Sequence, residues 1–192
     1  MLPLGRAHLW LKLTRSQGIA RRYFVVNGFD GALTMLGLIM GFRVSGSSDL
    51  AMVLNACLGA AIALGVSGVS SAYVSEAAER RKALNELEEA MAKDLGGSAH
   101  GHAARWVPLL IALVNGAAPL FISLFILSPL WLAQAGIILP WPPLLAALGC
   151  AFFAVFLLGV FLGRVSGQHW LHSGLQTLLI ALITAGLVSL LG

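Results

Sequence analysis

The stretch VVNGFDGALTMLG, residues Val25 to Gly37, sets an aspartate between glycines in a run otherwise apolar enough to enter a membrane. Asp30 is the only acid between Tyr23 and Phe42. An ionised carboxylate at the centre of a bilayer costs roughly 2.5–3.5 kcal/mol even on the lenient insertion scale, so something must compensate for it. The composition of the rest of the chain decides whether this stretch is a membrane span. Of 192 residues, 58% are hydrophobic and 10% charged, with a mean hydropathy of +0.88. A soluble domain carries about 25% charged residues. The expected fold class is therefore an all-α integral membrane protein, and the length suits one compact membrane domain.

Five segments, 23–42, 50–74, 106–127, 144–162 and 171–191, each approach the ~20 apolar residues that a helical crossing needs. The basic residues divide unevenly among their connections. Arg6, Lys12, Arg15, Arg21 and Arg22 precede the first span, and Arg80, Arg81, Lys82, Lys93 and Arg105 lie between the second and third. Arg164 follows the fourth span, and only Arg43 falls on the opposite side. The positive-inside rule then makes the N-terminus cytoplasmic and puts the C-terminus across the membrane. The net charge of +4 serves as an orientation signal, and no nucleic-acid partner is expected. Residues 1–22 form an N-terminal interfacial segment, within which Pro3 to Ser16 read as an amphipathic helix on the membrane surface. Residues 23–192 form the five-helix domain, which includes a cytoplasmic acidic helix over 75–95. The opening MLPLGRAHLWLKLTR lacks the apolar core and cleavage site of a signal peptide. Trp131 and Trp141 fit an interfacial aromatic belt, and Pro119 predicts a kink in the third span. Cys57 and Cys150 sit in apolar runs and read as small core residues.

Three constellations can carry chemistry. Asp30 is the first. It is either a structural acid hydrogen-bonded to Asn27, Thr34 or a neighbouring helix, or part of an ion or proton pathway, the default for an intramembrane acid. The second is SEAAERRKALNELEEAMAKDL, whose helical projection places Leu84, Leu87, Met91 and Leu95 on one side. Glu79, Glu86 and Glu89 fall within an arc of roughly 80° on another. Grouped carboxylates suit divalent cations. The same acids stand at ion-pair spacing from Lys82 and Lys93, as in an ordinary salt-bridged helix. The third is the histidines: His100 and His102 in a glycine-rich loop, and His169 and His172 at i, i+3 at the cytoplasmic mouth of the fifth span. Neither pair supplies the ligands of a defined metal site. The spans also hold small residues at helical spacing, including Gly37 and Gly41, which permit close helix approach and a dimer. No Walker A loop, GxSxG, Cys-x-x-Cys or HExxH motif occurs, so neither enzymatic chemistry nor use of ATP is expected, and no cofactor.

Together these features resemble the vacuolar iron transporter family. GFDGALTMLGLIMG is similar to that family's first-helix signature, and GVSGVSSAYVSEAAE to the end of its second helix, which runs into an acidic cytoplasmic helix. LQTLLIALITAGLVSLLG is similar to its last helix. The resemblance implies five transmembrane helices in a homodimer that carries Fe²⁺ or Mn²⁺ out of the cytoplasm in exchange for protons. The pathway would run between the protomers, lined by the first helices. Asp30 then corresponds to the in-membrane metal and proton aspartate. Glu76, Glu79, Glu86 and Glu89 fall near the family's cytoplasmic metal-binding glutamates, with the spacing between the two pairs one residue short. Two departures stand out. Gly68 occupies the second-helix position where the family often carries methionine, which removes a soft ligand, and the link between the second and third spans is short. The expected function is proton-coupled divalent-metal export. The alternatives are export of another cation, or a non-transporting scaffold that docks partners through its charged helix.

Overall fold

The computed structural model describes residues 17–47 and 49–190. The amphipathic helix expected over 3–16 lies outside them. Five helices follow in order: α1 (Gln17–Val44), α2 (Leu50–Met91), α3 (Ala99–Gln134), α4 (Pro143–Ser166) and α5 (Trp170–Ser189). Among the described residues the fold is all-α, and each of the five is long and apolar enough to cross a membrane. The first four expected spans fall inside α1 to α4, and the fifth corresponds to α5, which stops at Ser189.

Local chemistry fixes the helix ends. Asp49 caps α2, its Oδ1 accepting from Ala51 N (2.9 Å) and Met52 N (3.2 Å). Ser98 caps α3 in the same way, its Oγ accepting from Gly101 N at 3.3 Å. Pro142 and Pro143 open α4, where a missing N–H is harmless. Gly46 and Gly167 end α1 and α4 in the left-handed region that glycine adopts without strain.

The acidic helix expected over 75–95 is no separate element. It is the continuation of α2, whose 42 residues are about twice what a bilayer crossing needs, and it stops at Met91. There Ala92 takes φ 49°, and Lys93 N bonds to Glu88 O (3.2 Å) while Ala92 N bonds to Glu89 O (3.3 Å). This double closure ends a helix, usually around glycine. An alanine there is strained, so Ala92→Gly should raise the thermal midpoint, a gain of up to about 1 kcal/mol. An unchanged or lowered midpoint in detergent would show the strain to be relieved elsewhere. Leu95, expected to continue the apolar helical stripe, is buried beyond the reversal. Its N–H is held by the Glu88 carboxylate at 2.8 Å.

The chain forms two compact units. One comprises residues 17–24 and Gly65–Ala117. Its core of Ala103, Val107 and Ile111 is packed by Ile19, Ala20 and Tyr23. Glycines bring α2 and α3 into backbone contact here: a Cβ at Gly68 would lie 3.1 Å from Gly116 Cα and 3.2 Å from the Asn115 carbonyl oxygen. The buried Asn115 side chain donates to Gly68 O at 2.7 Å, which locks the crossing.

The other unit comprises Val25–Leu64 and 118–190. Its core includes Met35, Leu36, Ile39, Val53, Cys57, Leu127, Leu130 and Val155. Cys57 is thus a core residue, and both cysteines are free. Pro119, where a kink was expected, lies inside α3, is fully buried and has no N–H to donate to the preceding turn. Gly31 abuts it so closely that a Cβ would come within 2.8 Å of Pro119 Cα. Helices α4 and α5 pack through Gly159, Gly163 and Gly174, and Thr177 Oγ1 donates to Val155 O at 3.1 Å across that seam.

Candidate functional site

The first helix owes the placement of Asp30 to its glycines. Gly28 and Gly31 are buried, against Leu158 and Pro119 respectively. With Ala32, Met35, Leu36 and Ile39 they form the inward face. At 100° per residue this rotates Asp30 outward, and its side chain is exposed. Its carboxylate forms no hydrogen bond or ion pair with any described residue. Among the described residues, neither Asn27, Thr34 nor a neighbouring helix supplies it with a hydrogen bond. Gly37 and Gly41 lie seven and eleven residues on, within about 20° of Asp30 around the helix. Neither has any atom within 4 Å of where a Cβ would stand. One open strip of α1 thus carries a carboxylate with no partner among the described residues and two positions without a side chain.

The four glutamates of α2 divide. Glu76 is buried, 7% exposed, and pairs with Arg80 at 3.5 Å. Glu79, Glu86 and Glu89 are exposed on the common arc expected of them. Within that arc Lys82 reaches Glu86 at a long 3.9 Å. The Glu89–Lys93 spacing forms no ion pair among the described residues, because the helix has already ended between them. Asp30 belongs to the unit containing Val25–Leu64, and the glutamates to the unit containing Gly65–Ala117. Among the described residues of one chain, no three His, Cys, Asp or Glu side chains converge to hold a metal ion.

His100 and His102, expected in a flexible loop, stand exposed in the first turn of α3, which the Ser98 cap nucleates. His169 stacks on Trp170 ahead of α5, and His172 shares a hydrogen bond with Gln176 at 3.0 Å. Gly68 has a packing explanation. With Gly116 and the Asn115 carbonyl 3.1–3.2 Å from where a Cβ would stand, any side chain at that position requires α2 and α3 to part by a few tenths of an ångström. Sequence reasoning missed the roles of Glu88 and Ser98, which cap the turn between α2 and α3 through bonds of 2.8 and 2.6 Å involving Leu95. The signal available for Ser98 was a serine directly before a helical pattern.

No protein-family model matches the chain, and no solved structure matches it. It is similar to an uncharacterized protein of Methanocaldococcus jannaschii, MJ0645, with 29% identity over 168 residues that span 85% of this chain and 84% of that protein.

Proposed function

We propose that the protein is a multi-pass membrane transporter that moves a divalent first-row cation, Fe²⁺ or Mn²⁺, out of the cytoplasm in exchange for protons, and that it works as a homodimer. The observation that carries this reading is the outward strip of α1: Asp30 exposed and without a partner among the described residues, in line with Gly37 and Gly41. A carboxylate on the outer face of an apolar helix is untenable against lipid. A second copy meeting the first along this strip would remove it from lipid, and the two glycines allow the backbones to approach. Two Asp30 carboxylates would then face each other in one site. Ionised together they repel, so protons hold the site until a dication replaces both. Metal moving one way and protons the other keep the buried charge near neutral.

The exposed Glu79, Glu86 and Glu89 would gather cations at the cytoplasmic side, where the arginine- and lysine-rich connections place this part of α2 by the positive-inside rule. Glu76, already committed to Arg80, is the least available of the four. Oxygen donors alone favour hard and borderline cations, which fits Mn²⁺ and Fe²⁺ without a thioether at position 68.

The test is flux in proteoliposomes loaded with a metal-sensitive dye, comparing Fe²⁺, Mn²⁺, Zn²⁺ and Ca²⁺ under an imposed pH gradient. Uptake of Fe²⁺ or Mn²⁺ that accelerates when the interior is acid is expected, since protons leave as metal enters. No flux for any cation from well-folded protein overturns transport. It would turn attention to the charged continuation of α2 as a docking surface, with Met91 exposed at its end.

A further inference from the structure

The run Arg80-Arg81-Lys82 divides by partner. Arg80 pairs with Glu76 and Lys82 with Glu86. Arg81 has Ala77, Ala78, Leu84 and Asn85 at the three- and four-residue spacings, so no acid lies within helical reach of it. Arg105 in α3 is placed likewise, with Gly101, His102, Pro108 and Leu109 at those spacings. Neither guanidinium forms an ion pair with any described residue.

Both arginines line one cavity of about 220 Å³, together with Tyr73, Leu84, Gly96 and Gly101, and no carboxylate is among its described lining residues. Its wall is built firmly. Gly101 sits so tightly on the carbonyl oxygens of Leu95 and Gly96 that no Cβ would fit. Ser98 Oγ donates to Leu95 O at 2.6 Å, and the Glu88 carboxylate holds Leu95 N at 2.8 Å. Two uncompensated cations at one concavity repel each other, and an oxyanion received between them relieves that repulsion. The guanidinium fork matches phosphate oxygens, and the Tyr73 phenol adds a donor. The cavity is smaller than the ~300–1,000 Å³ of drug-sized ligand sites, which suits a headgroup-sized anion.

Its level along the helices identifies the source. Tyr73 and Arg105 stand at the ends of the hydropathy-defined spans 50–74 and 106–127, the depth of lipid phosphates and of interfacial tyrosines. We propose that this cavity binds the phosphate of an anionic phospholipid headgroup. The proposal rests on the five-span reading and is independent of what, if anything, is transported. Basic pockets between membrane helices on the cytoplasmic side are suited to such headgroups.

The test is native mass spectrometry of the full chain in neutral detergent, titrated separately with phosphatidylglycerol, phosphatidylcholine and inorganic phosphate. Phosphatidylglycerol should be retained in preference to phosphatidylcholine, with retention roughly tenfold weaker for each guanidinium removed in Arg81→Gln and Arg105→Gln. Lys93→Gln, which removes the same charge away from the cavity, should leave retention unchanged. Equal retention of the two lipids by the wild type overturns the proposal, as does an equal loss in Lys93→Gln. Inorganic phosphate retained as well as the lipid would assign the cavity to a soluble anion and overturn the lipid source. The wild-type comparisons decide the matter even if an arginine variant does not fold.

Discussion

Asp30→Asn should lower metal flux at least a hundredfold and leave assembly and thermal stability unchanged. Even residues that only orient a metal ligand command about 10–100-fold, and Asp30 would be a ligand itself. The amide keeps the shape and some hydrogen-bonding capacity but loses the negative charge that attracts the dication and the group that exchanges a proton. Stability should be spared because the carboxylate makes no hydrogen bond or ion pair with any described residue. Removing a buried charge from the proposed dimer contact would, if anything, tighten it. Flux and particle mass measured side by side separate the possibilities. A variant that transports normally sinks the proposed role of Asp30. A variant that dissociates into monomers makes Asp30 an assembly residue instead.

Gly116→Ala should strongly destabilise the α2–α3 crossing in the unit formed by residues 17–24 and Gly65–Ala117. A Cβ there would fall onto the Gly65 carbonyl oxygen and the Val69 side chain, and within 3.0 Å of Val69 N. Two of those three obstacles are backbone, so no rotamer change clears them and α2 must move away from α3. Overpacking of this kind costs typically about 1–3 kcal/mol, and backbone contact puts this case near the upper end. The helix-propensity gain of alanine over glycine, roughly 0.5–1 kcal/mol, offsets only part of it. The displacement would also stretch the Asn115 Nδ2 to Gly68 O bond of 2.7 Å. Gly149→Ala is the matched control: Gly149 lies inside α4 with nothing within 4 Å of its Cβ position, so that change should be neutral or mildly stabilising. Thermal unfolding of both variants in the same detergent checks the contrast. Equal midpoints for the two would mean that the α2–α3 crossing is looser than its geometry.

Much of the fold was legible in the chain. Hydropathy alone predicts five helices long and apolar enough to cross a membrane, and the structure has them, because a stretch that must satisfy its backbone in lipid has little choice but to be a helix. Helix ends were less legible. The acidic stretch read as a helix to residue 95, since nothing in EEAMAKDL marks a stop. The reversal at Ala92 is imposed on a residue that does not favour it, with Glu88 holding the far side. The glycine-rich stretch before Trp106 read as a loop, although the Ser98 cap starts α3 at Ala99.

By itself, the sequence determined that this is an α-helical chain with five apolar helices, that one of them carries a lone acid, and that three glutamates share one arc of α2. These are properties of periodicity and composition, written locally along the chain. Only the tertiary structure decided which way that acid faces. Asp30 points outward because Gly28 and Gly31, two and one residues from it, are the ones that fit against Leu158 and Pro119. The same holds at Gly68, where the backbone of α3 stands 3.1 Å from where a Cβ would be and favours glycine. Each depends on contacts between residues distant in sequence, and on steric exclusion at distances of about 3 Å, which no local pattern encodes.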